Sequence, residues 1–171
     1  MNLPPFQVDK SPVKIRPYES KDLPSVIETY TASIHRLAAP YYSPEQLAAW
    51  APVPSDATRW QERLARLHTI VAESDNAFAG FASYTLDGYL DFLFTHPAFA
   101  RRSVASLLYG SIESALRAVR ALRVSAHVSL AARPFFDRHN FQLDAEECVE
   151  CRGAYLRRFA MHKQLRNERI A

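Results

Sequence analysis

The spacing of apolar and polar positions along the chain predicts twelve successive elements of secondary structure. Apolar residues that recur every three or four positions indicate helices, whereas alternation or short apolar runs indicate strands. Ser-Pro-Glu-Gln at 43–46 is typical of a helix start, and Asp-Gly at 87–88 is typical of a hairpin turn. In chain order, the predictions are a strand at 13–16, helices at about 22–39, 43–52 and 55–67, strands at 69–73, 79–86 and 89–94, a helix at 104–122, a strand at 124–128, a helix at 130–139, and strands at 141–143 and 154–162.

The order of these elements predicts the fold class. Three successive strands with tight links indicate an antiparallel meander, and a strand–helix–strand unit follows it. A chain of 171 residues suggests one domain. We therefore expect a single α+β domain over 13–163, with a mixed, mainly antiparallel sheet flanked by helices. A flexible leader at 1–12 and a basic C-terminal tail at 164–171 are expected on either side.

Glycine is scarce in this chain. Four glycines occur, at positions 80, 88, 110 and 153, and the nearest two are eight positions apart; average usage of about 7% would give roughly twelve. The dinucleotide-binding fingerprint, the Walker P-loop and the kinase glycine loop all need glycines only a few positions apart. The sequence therefore excludes these loops in their usual forms, and any bound phosphate must be held in another way.

The net charge is +3 and unevenly distributed, because residues 152–171 carry six Lys/Arg against one acid. A basic terminus either marks a nucleic-acid partner or forms a solvated strand face and tail. We favour the second interpretation, so nucleic-acid binding is not expected.

The chain lacks an apolar run of about 18 residues and a signal-peptide apolar region, so no membrane association is expected. Two cysteines without a secretion signal favour a cytoplasmic location.

The junction before the long predicted helix is a candidate anion site. Arg101 and Arg102 stand in the loop, and the small residues Ser103, Ala105 and Ser106 follow. The first turn of a helix leaves backbone N–H groups free and carries the positive end of the helix dipole. Small side chains let a diphosphate approach that backbone. The alternative is an ordinary helix start with solvated arginines.

The segment 96–108 resembles motif A of the Gcn5-related N-acetyltransferases, in which [RQ]-x-x-G-x-[GA] opens a helix that binds the pyrophosphate of acetyl-coenzyme A (acetyl-CoA). By position, Ala100 stands for the Gln or Arg, Ser103 for the first glycine and Ala105 for the second small residue. The chain thus departs from the pattern at two of three signature positions. Arg101 is a candidate for the charge that Ala100 does not supply.

The segment 132–141 resembles motif B of the same superfamily, commonly A-x-x-F-Y-x-x-x-G-F. Asn140 replaces the glycine, and asparagine is the next-best residue for a left-handed helix cap. Phe136 replaces the tyrosine that is proposed to protonate the leaving thiolate in many members. In the YafP-type branch of the superfamily Phe-Phe is usual here, and the segments 41–50 and 150–155 are also similar to that branch.

The resemblance covers about 13–163 and implies the acyl-CoA N-acyltransferase (GNAT) fold. It implies acetyl transfer from acetyl-CoA, as cosubstrate, to an amine of a small molecule or protein by direct attack in a ternary complex. The strand at 93–95 is implied to carry a bulge, to splay from its neighbour and to supply a backbone N–H to the oxyanion. The implied cofactor-binding residues are Leu93, Phe94, Thr95, Arg101, Arg102, Ser103, Val104, Ala105, Ser106, Phe135 and Phe136.

Two catalytic candidates remain weakly defined by the sequence. Asp91 lies two positions before Leu93 in an apolar strand, so both side chains are expected on one face; it is either the general base or a carboxylate that reaches solvent or pairs with an arginine. The proton for the thiolate comes from Tyr155, from another tyrosine or from solvent. Weaker candidates for the base are Glu73, Tyr84 and His35.

Several alternatives stay open. The departures at Ala100, Ser103 and Phe136 are also compatible with a CoA-binding regulatory or interaction module without turnover. Cys148 and Cys151 form a C-x-x-C, which we place in an extended segment, so neither a metal nor a redox site is expected. The acceptor amine is not identified by the sequence, and a homodimer is possible.

Overall fold

The computed structural model describes residues 12–165, so most of the predicted leader at 1–12 and tail at 164–171 lies outside the described residues. The helices are α1 (Leu23–Leu37), α2 (Pro44–Trp50), α3 (Ala57–Leu64), α4 (Val104–Ala118) and α5 (Arg133–Arg138). The strands are β1 (Lys14–Pro17), β2 (His68–Ser74), β3 (Ala77–Tyr84), β4 (Tyr89–Thr95), β5 (Arg123–Ser129), β6 (Gln142–Cys151) and β7 (Ala154–Gln164). The predicted order of elements is confirmed.

The seven strands form one sheet in the order β1-β2-β3-β4-β5-β7-β6. Neighbouring strands are antiparallel except β4 and β5, which are parallel and are connected through α4. A parallel pair needs a long crossover, and α4 supplies it. The mixed, mainly antiparallel sheet is therefore as predicted.

Helices cover both faces of the sheet. Leu108, Ile112 and Leu116 of α4 are fully buried on one face, against residues such as Val124 and Met161. Burying such a side chain contributes about 1.5–3 kcal/mol, so this face supplies much of the stability. Helices α1, α2 and α3 pack on the opposite face. Within residues 12–165, no helix is long and apolar enough to cross a bilayer.

The turn between β3 and β4 fixes where β4 meets β5. Gly88 has φ +100°, and a Cβ there would lie 2.1 Å from the Arg123 carbonyl oxygen. The Gly88 carbonyl accepts a hydrogen bond from the Ser125 N–H at 2.8 Å. Because only glycine fits this close approach, the predicted hairpin turn also anchors β4 to the start of β5.

Several boundaries differ from the prediction. Strand β6 has ten residues, where 141–143 was predicted, because it is an exposed edge strand without a buried face to mark its period. Helix α4 ends at Ala118 rather than near 122, because Arg120 adopts a left-handed conformation with φ 60°. At the end of the domain β7 reaches Gln164, and Leu165 is buried.

Candidate active site

Strands β4 and β5 separate shortly after they meet. Their described pairing consists of Tyr89 with Ser125 and Leu90 with Ala126. On the other side of β4, Tyr84 pairs with Leu90 but the preceding residue of β3 pairs with Phe92, so β4 contains one extra residue. A β-bulge of this kind bends its strand. The rest of β4 therefore runs alongside a gap, as the resemblance implied.

A cavity of about 1270 Å³ passes through this gap. On one face of the sheet it is lined by residues of α1 and α3 and by the end of α2. On the other face it is lined by the start of α4 and by α5. Its volume exceeds what a drug-sized ligand fills. The cavity can thus hold two reactants that meet at the gap.

The N-terminus of α4 opens into this cavity. Ser103 caps the helix with φ 63° and ψ 10°, the left-handed conformation that favours glycine. The first hydrogen bond of the helix runs from the Leu107 N–H to the Ser103 carbonyl oxygen at 3.0 Å. The N–H groups of residues 104–106 precede it and have no partner within the helix, so the predicted anion-binding geometry is present.

The two loop arginines occupy different positions. Arg101 is exposed and lines the cavity. Arg102 does not line it and instead lies 3.7 Å from Asp75 and 5.1 Å from the centre of the Phe99 ring. Arg138, at the end of α5, also lines the cavity, although sequence reasoning missed it. Its only sequence signal was its place inside motif B.

The other residues implied to bind the cofactor converge on the same cavity. Phe136 is 5% exposed and packs edge-on against Phe141, with 4.8 Å between ring centres. Asn140 ends α5 with φ 62°, as predicted for the residue that replaces the motif B glycine. The lining includes Leu93, Phe94, Thr95, Ser103, Val104, Ala105, Ser106, Phe135 and Phe136.

Asp91 is held by an arginine at the edge of the gap. Its carboxylate accepts hydrogen bonds from Nε and Nη2 of Arg63 at 3.0 and 2.7 Å, and its side chain is 11% exposed. Of the two interpretations of Asp91, the structure therefore shows the one in which the carboxylate pairs with an arginine. The prediction that Asp91 and Leu93 share a face is wrong. Leu93 packs towards the cluster under α4, whereas the bulge at Asp91 lets its side chain reach α3 on the opposite face.

Tyr155 lies outside the cavity lining and is 61% exposed. A different tyrosine, Tyr30 of α1, lines the cavity, and its hydroxyl donates to the Trp50 carbonyl oxygen at 3.3 Å. Burial raises the pKa of Tyr30 to about 12. The phenol is protonated at neutral pH, as an ordinary tyrosine is, and the raised pKa makes it a weaker acid, so its place in the cavity is what marks it as a candidate donor. Sequence reasoning missed Tyr30 because its helical spacing also suits a core residue.

The weaker candidates have other contacts. Glu73 pairs with Arg16 at 2.6 Å, and His35 is bonded through Nε2 to the Ala51 carbonyl oxygen at 2.8 Å. None of Glu73, Tyr84 and His35 lines the cavity.

The C-x-x-C lies in β6, an extended segment as predicted, with both cysteines free. Three positions along a strand place them on opposite faces. Among residues 12–165 no cluster of metal-ligating side chains is present.

A sheet that splits beside the N-terminus of a long helix defines the acyl-CoA N-acyltransferase fold implied by the sequence. The acetyltransferase (GNAT) domain family model matches residues 38–170. The N-acetyltransferase YafP of Escherichia coli (strain K12) is 36% identical over 149 residues, which are 87% of this chain and 94% of that protein.

Solved structures support the same fold. The GCN5-related N-acetyltransferase from Rhodopseudomonas palustris aligns with a TM-score of 0.87 and 30% identity, covering 91% of this chain and 98% of that one. The PaiA N-acetyltransferase from Thermoplasma acidophilum, solved in complex with coenzyme A, aligns with a TM-score of 0.72 and 18% identity, covering 90% and 99% of the two chains.

The chain belongs to the GNAT acetyltransferase family. The YafP-type resemblance, the acyltransferase class and acetyl-CoA as cosubstrate are thereby confirmed.

Proposed function

We propose that this protein moves the acetyl group of acetyl-CoA to an amine that enters from the α1–α3 face of the sheet. The observation that carries the proposal is the cavity at the β4–β5 gap, which is lined by residues from both faces of the sheet. A cofactor on one face and an acceptor on the other can meet there without a covalent intermediate on the protein. Holding both reactants in place removes much of the entropic barrier.

The cofactor half fits coenzyme A. The free N–H groups at the start of α4 would bind the pyrophosphate, and Arg101 and Arg138 add positive charge beside them. The pantetheine arm would extend into the gap, where the β5 side of β4 has no strand partner along 91–95 in the described pairing. Backbone N–H groups at 93–95 that point into the gap would stabilise the tetrahedral oxyanion.

The chemistry needs one proton removed and one returned. A base first takes a proton from the acceptor ammonium group, and the freed amine nitrogen attacks the thioester carbon. The C–S bond then breaks, and the second proton lost by the nitrogen balances the one that the thiolate gains. We propose Asp91, directly or through a water, as the base, with Arg63 fixing its orientation. We place Tyr30 ahead of Tyr155 as donor to the thiolate, because Tyr30 lines the cavity and Tyr155 does not.

The test is incubation with acetyl-CoA and a broad panel of amines, followed by detection of free coenzyme A thiol. Acetyl transfer predicts amine-dependent thiol release, and Asp91→Asn is expected to lower kcat with little change in coenzyme A affinity. Binding of acetyl-CoA without thiol release across the panel would instead favour a CoA-binding module. Cytoplasmic location, a homodimer and the absence of nucleic-acid binding stay predictions.

A further inference from the structure

Three arginines line the part of the cavity on the side of the sheet that α1, α2 and α3 cover, which we call the acceptor half. Arg59 and Arg63 lie one turn apart on α3, and Arg152 lies in the turn between β6 and β7. Within the described residues the Arg59 guanidinium has no ion-pair partner, and it is exposed on the cavity wall. The positive charges therefore come from two elements that are distant in sequence and converge in space.

Arg152 lies beside Tyr30. Its Nη1 donates to the Ala49 carbonyl oxygen at 2.7 Å, and the Tyr30 hydroxyl donates to the next carbonyl, that of Trp50, at 3.3 Å. Successive carbonyls at the end of α2 thus hold the two groups together. Nη2 of Arg152 has no acceptor among residues 12–165, so it is available to a ligand.

Arg63 lies near the same phenol, with the Phe92 ring as a shared neighbour. Its guanidinium carbon lies 4.4 Å from the centre of the Phe92 ring, which is 6.0 Å from that of Tyr30. Nε and Nη2 are bound to Asp91, which leaves Nη1 without a partner in the described chain. Against the larger effect of burial, the charges of Arg63 and Arg152 both lower the pKa of Tyr30.

Among the described residues, only one of the three arginines, Arg63, has a carboxylate partner. Asp91 is matched by Arg63, and Asp56 caps α3 by accepting the Arg59 backbone N–H at 3.1 Å. Glu150, near the end of β6, also lines the cavity, but it forms no ion pair with any of the three arginines in the described chain. The guanidinium groups of Arg59 and Arg152 therefore have no carboxylate partner in the described chain and are available to an anionic group of the acceptor.

We propose that the acceptor is an amine that also carries a carboxylate, an amino acid being the simplest form, and that Arg59, Arg63 and Arg152 bind this carboxylate. This inference rests on the proposed acetyltransferase function. Guanidinium groups bind carboxylates through strong, charge-assisted hydrogen bonds. Bound between α3 and the β6–β7 turn, the carboxylate pairs with guanidinium groups that have no other carboxylate partner and so holds the acceptor in the cavity.

The experiment compares free L-amino acids with the corresponding amino-acid amides as acceptors, measured as kcat/KM for thiol release. The acids are expected to exceed their amides by about tenfold or more, which is about 1.4 kcal/mol. Amine reactivity cannot produce this preference, because the amine of the amide is the more deprotonated of the two at neutral pH. Arg152→Gln and Arg59→Gln are expected to reduce the ratio towards one.

Arg66→Gln is the matched control, because Arg66 is exposed just after α3 and does not line the cavity. It should keep the preference for acids. Equal or better turnover of the amides by the wild-type enzyme would overturn the proposal, as would an unchanged ratio in Arg152→Gln and Arg59→Gln that bind acetyl-CoA normally.

Failure of the proposed function gives a different result. In that case acetyl-CoA binds but neither series releases thiol. Calorimetric titration of the coenzyme A complex with the same acids and amides then decides the anion site: selective binding of the acids supports it, and absence of selectivity overturns it.

Discussion

Ser103 is the residue at which this chain departs most sharply from a glycine-based phosphate site. Its φ of 63° is a conformation that costs an L-residue roughly 1 kcal/mol and that glycine adopts freely. The serine side chain is nevertheless small, and the backbone N–H groups after it remain exposed to the cavity. Scarcity of glycine therefore removes the usual loops but is compatible with the proposed phosphate site at the start of α4.

Substitution of Ser103 tests that site. Ser103→Gly is expected to preserve or tighten coenzyme A binding, because it relieves backbone strain and keeps the N–H groups accessible. Ser103→Leu is expected to raise Kd by about tenfold or more, since a bulky side chain would block approach to the helix N-terminus. Isothermal titration calorimetry measures both. Normal affinity in a folded Ser103→Leu would place the phosphate site elsewhere.

Tyr30 is the residue that we expect to protonate the leaving thiolate. Tyr30→Phe keeps the ring and its packing against Phe94, whose centre lies 4.9 Å away, but removes the proton. We expect kcat to fall by about tenfold or more, a modest loss for a general acid because a thiolate leaves readily. Stopped-flow thiol detection at saturating substrates measures kcat.

Tyr155→Phe is the discriminating comparison for Tyr30. If Tyr155 reaches the thiolate in solution, its substitution lowers kcat and that of Tyr30 does not. The reverse pattern supports the assignment made from the cavity lining.

At the scale of elements, a charged cluster ties α4 to β7. The Glu113 carboxylate accepts hydrogen bonds from Lys163 Nζ and Arg117 Nη2, each at 2.7 Å. Burial by itself raises the pKa of Glu113, but Lys163, Tyr109 and Arg117 outweigh it and lower the pKa from 4.5 to about 2. The folded state thus holds this carboxylate ionised where the unfolded chain would protonate it.

This shift predicts a pH dependence of stability. Because the pKa is lower in the folded state, the contribution of Glu113 is fully present above about pH 4.5 and is lost as the pH falls towards 2. Urea unfolding at pH 6 and pH 3 should therefore show a smaller loss of unfolding free energy in Glu113→Gln than in the wild type. Glu62→Gln, at an exposed position on α3, is the control and should lose as much unfolding free energy between pH 6 and pH 3 as the wild type does. An equal loss in Glu113→Gln and the wild type would contradict the assignment.

The elements were predictable where burial imposes a period on the sequence. The amphipathic helices and the strands of the meander each bury one or both faces, so their apolar positions recur regularly. Strand β6 lies at an exposed edge, and its residues carry no such pattern. The bulge at Asp91 is set by pairing with β3, and nothing in the local sequence marks the resulting change of face.

The candidate site was predictable only in its cofactor half. That half is formed largely by one continuous segment, 93–106, whose motif resembles that of a known family. The acceptor half brings together Tyr30, Arg63 and Arg152 from three separate parts of the chain. Their proximity depends on how α1, α3 and the β6–β7 turn pack, and single-sequence patterns do not contain that information.

At the scale of the whole molecule, we propose that one cavity through a split sheet joins a coenzyme A site to an amine site. The sheet positions both halves, because β4 is anchored to β5 at Tyr89 and Leu90 and then diverges from it. Helix α4 begins beside the gap and connects the two diverging strands. The fold thus positions the proposed phosphate site and the proposed reaction site together.

A crystal structure of the protein with coenzyme A tests this claim most directly. We predict the pyrophosphate within hydrogen-bond distance of the N–H groups at 103–106, with the pantetheine arm between β4 and β5 and the thiol near Leu93–Thr95. Coenzyme A bound away from the α4 N-terminus, or a gap filled by protein side chains in the complex, would contradict the account.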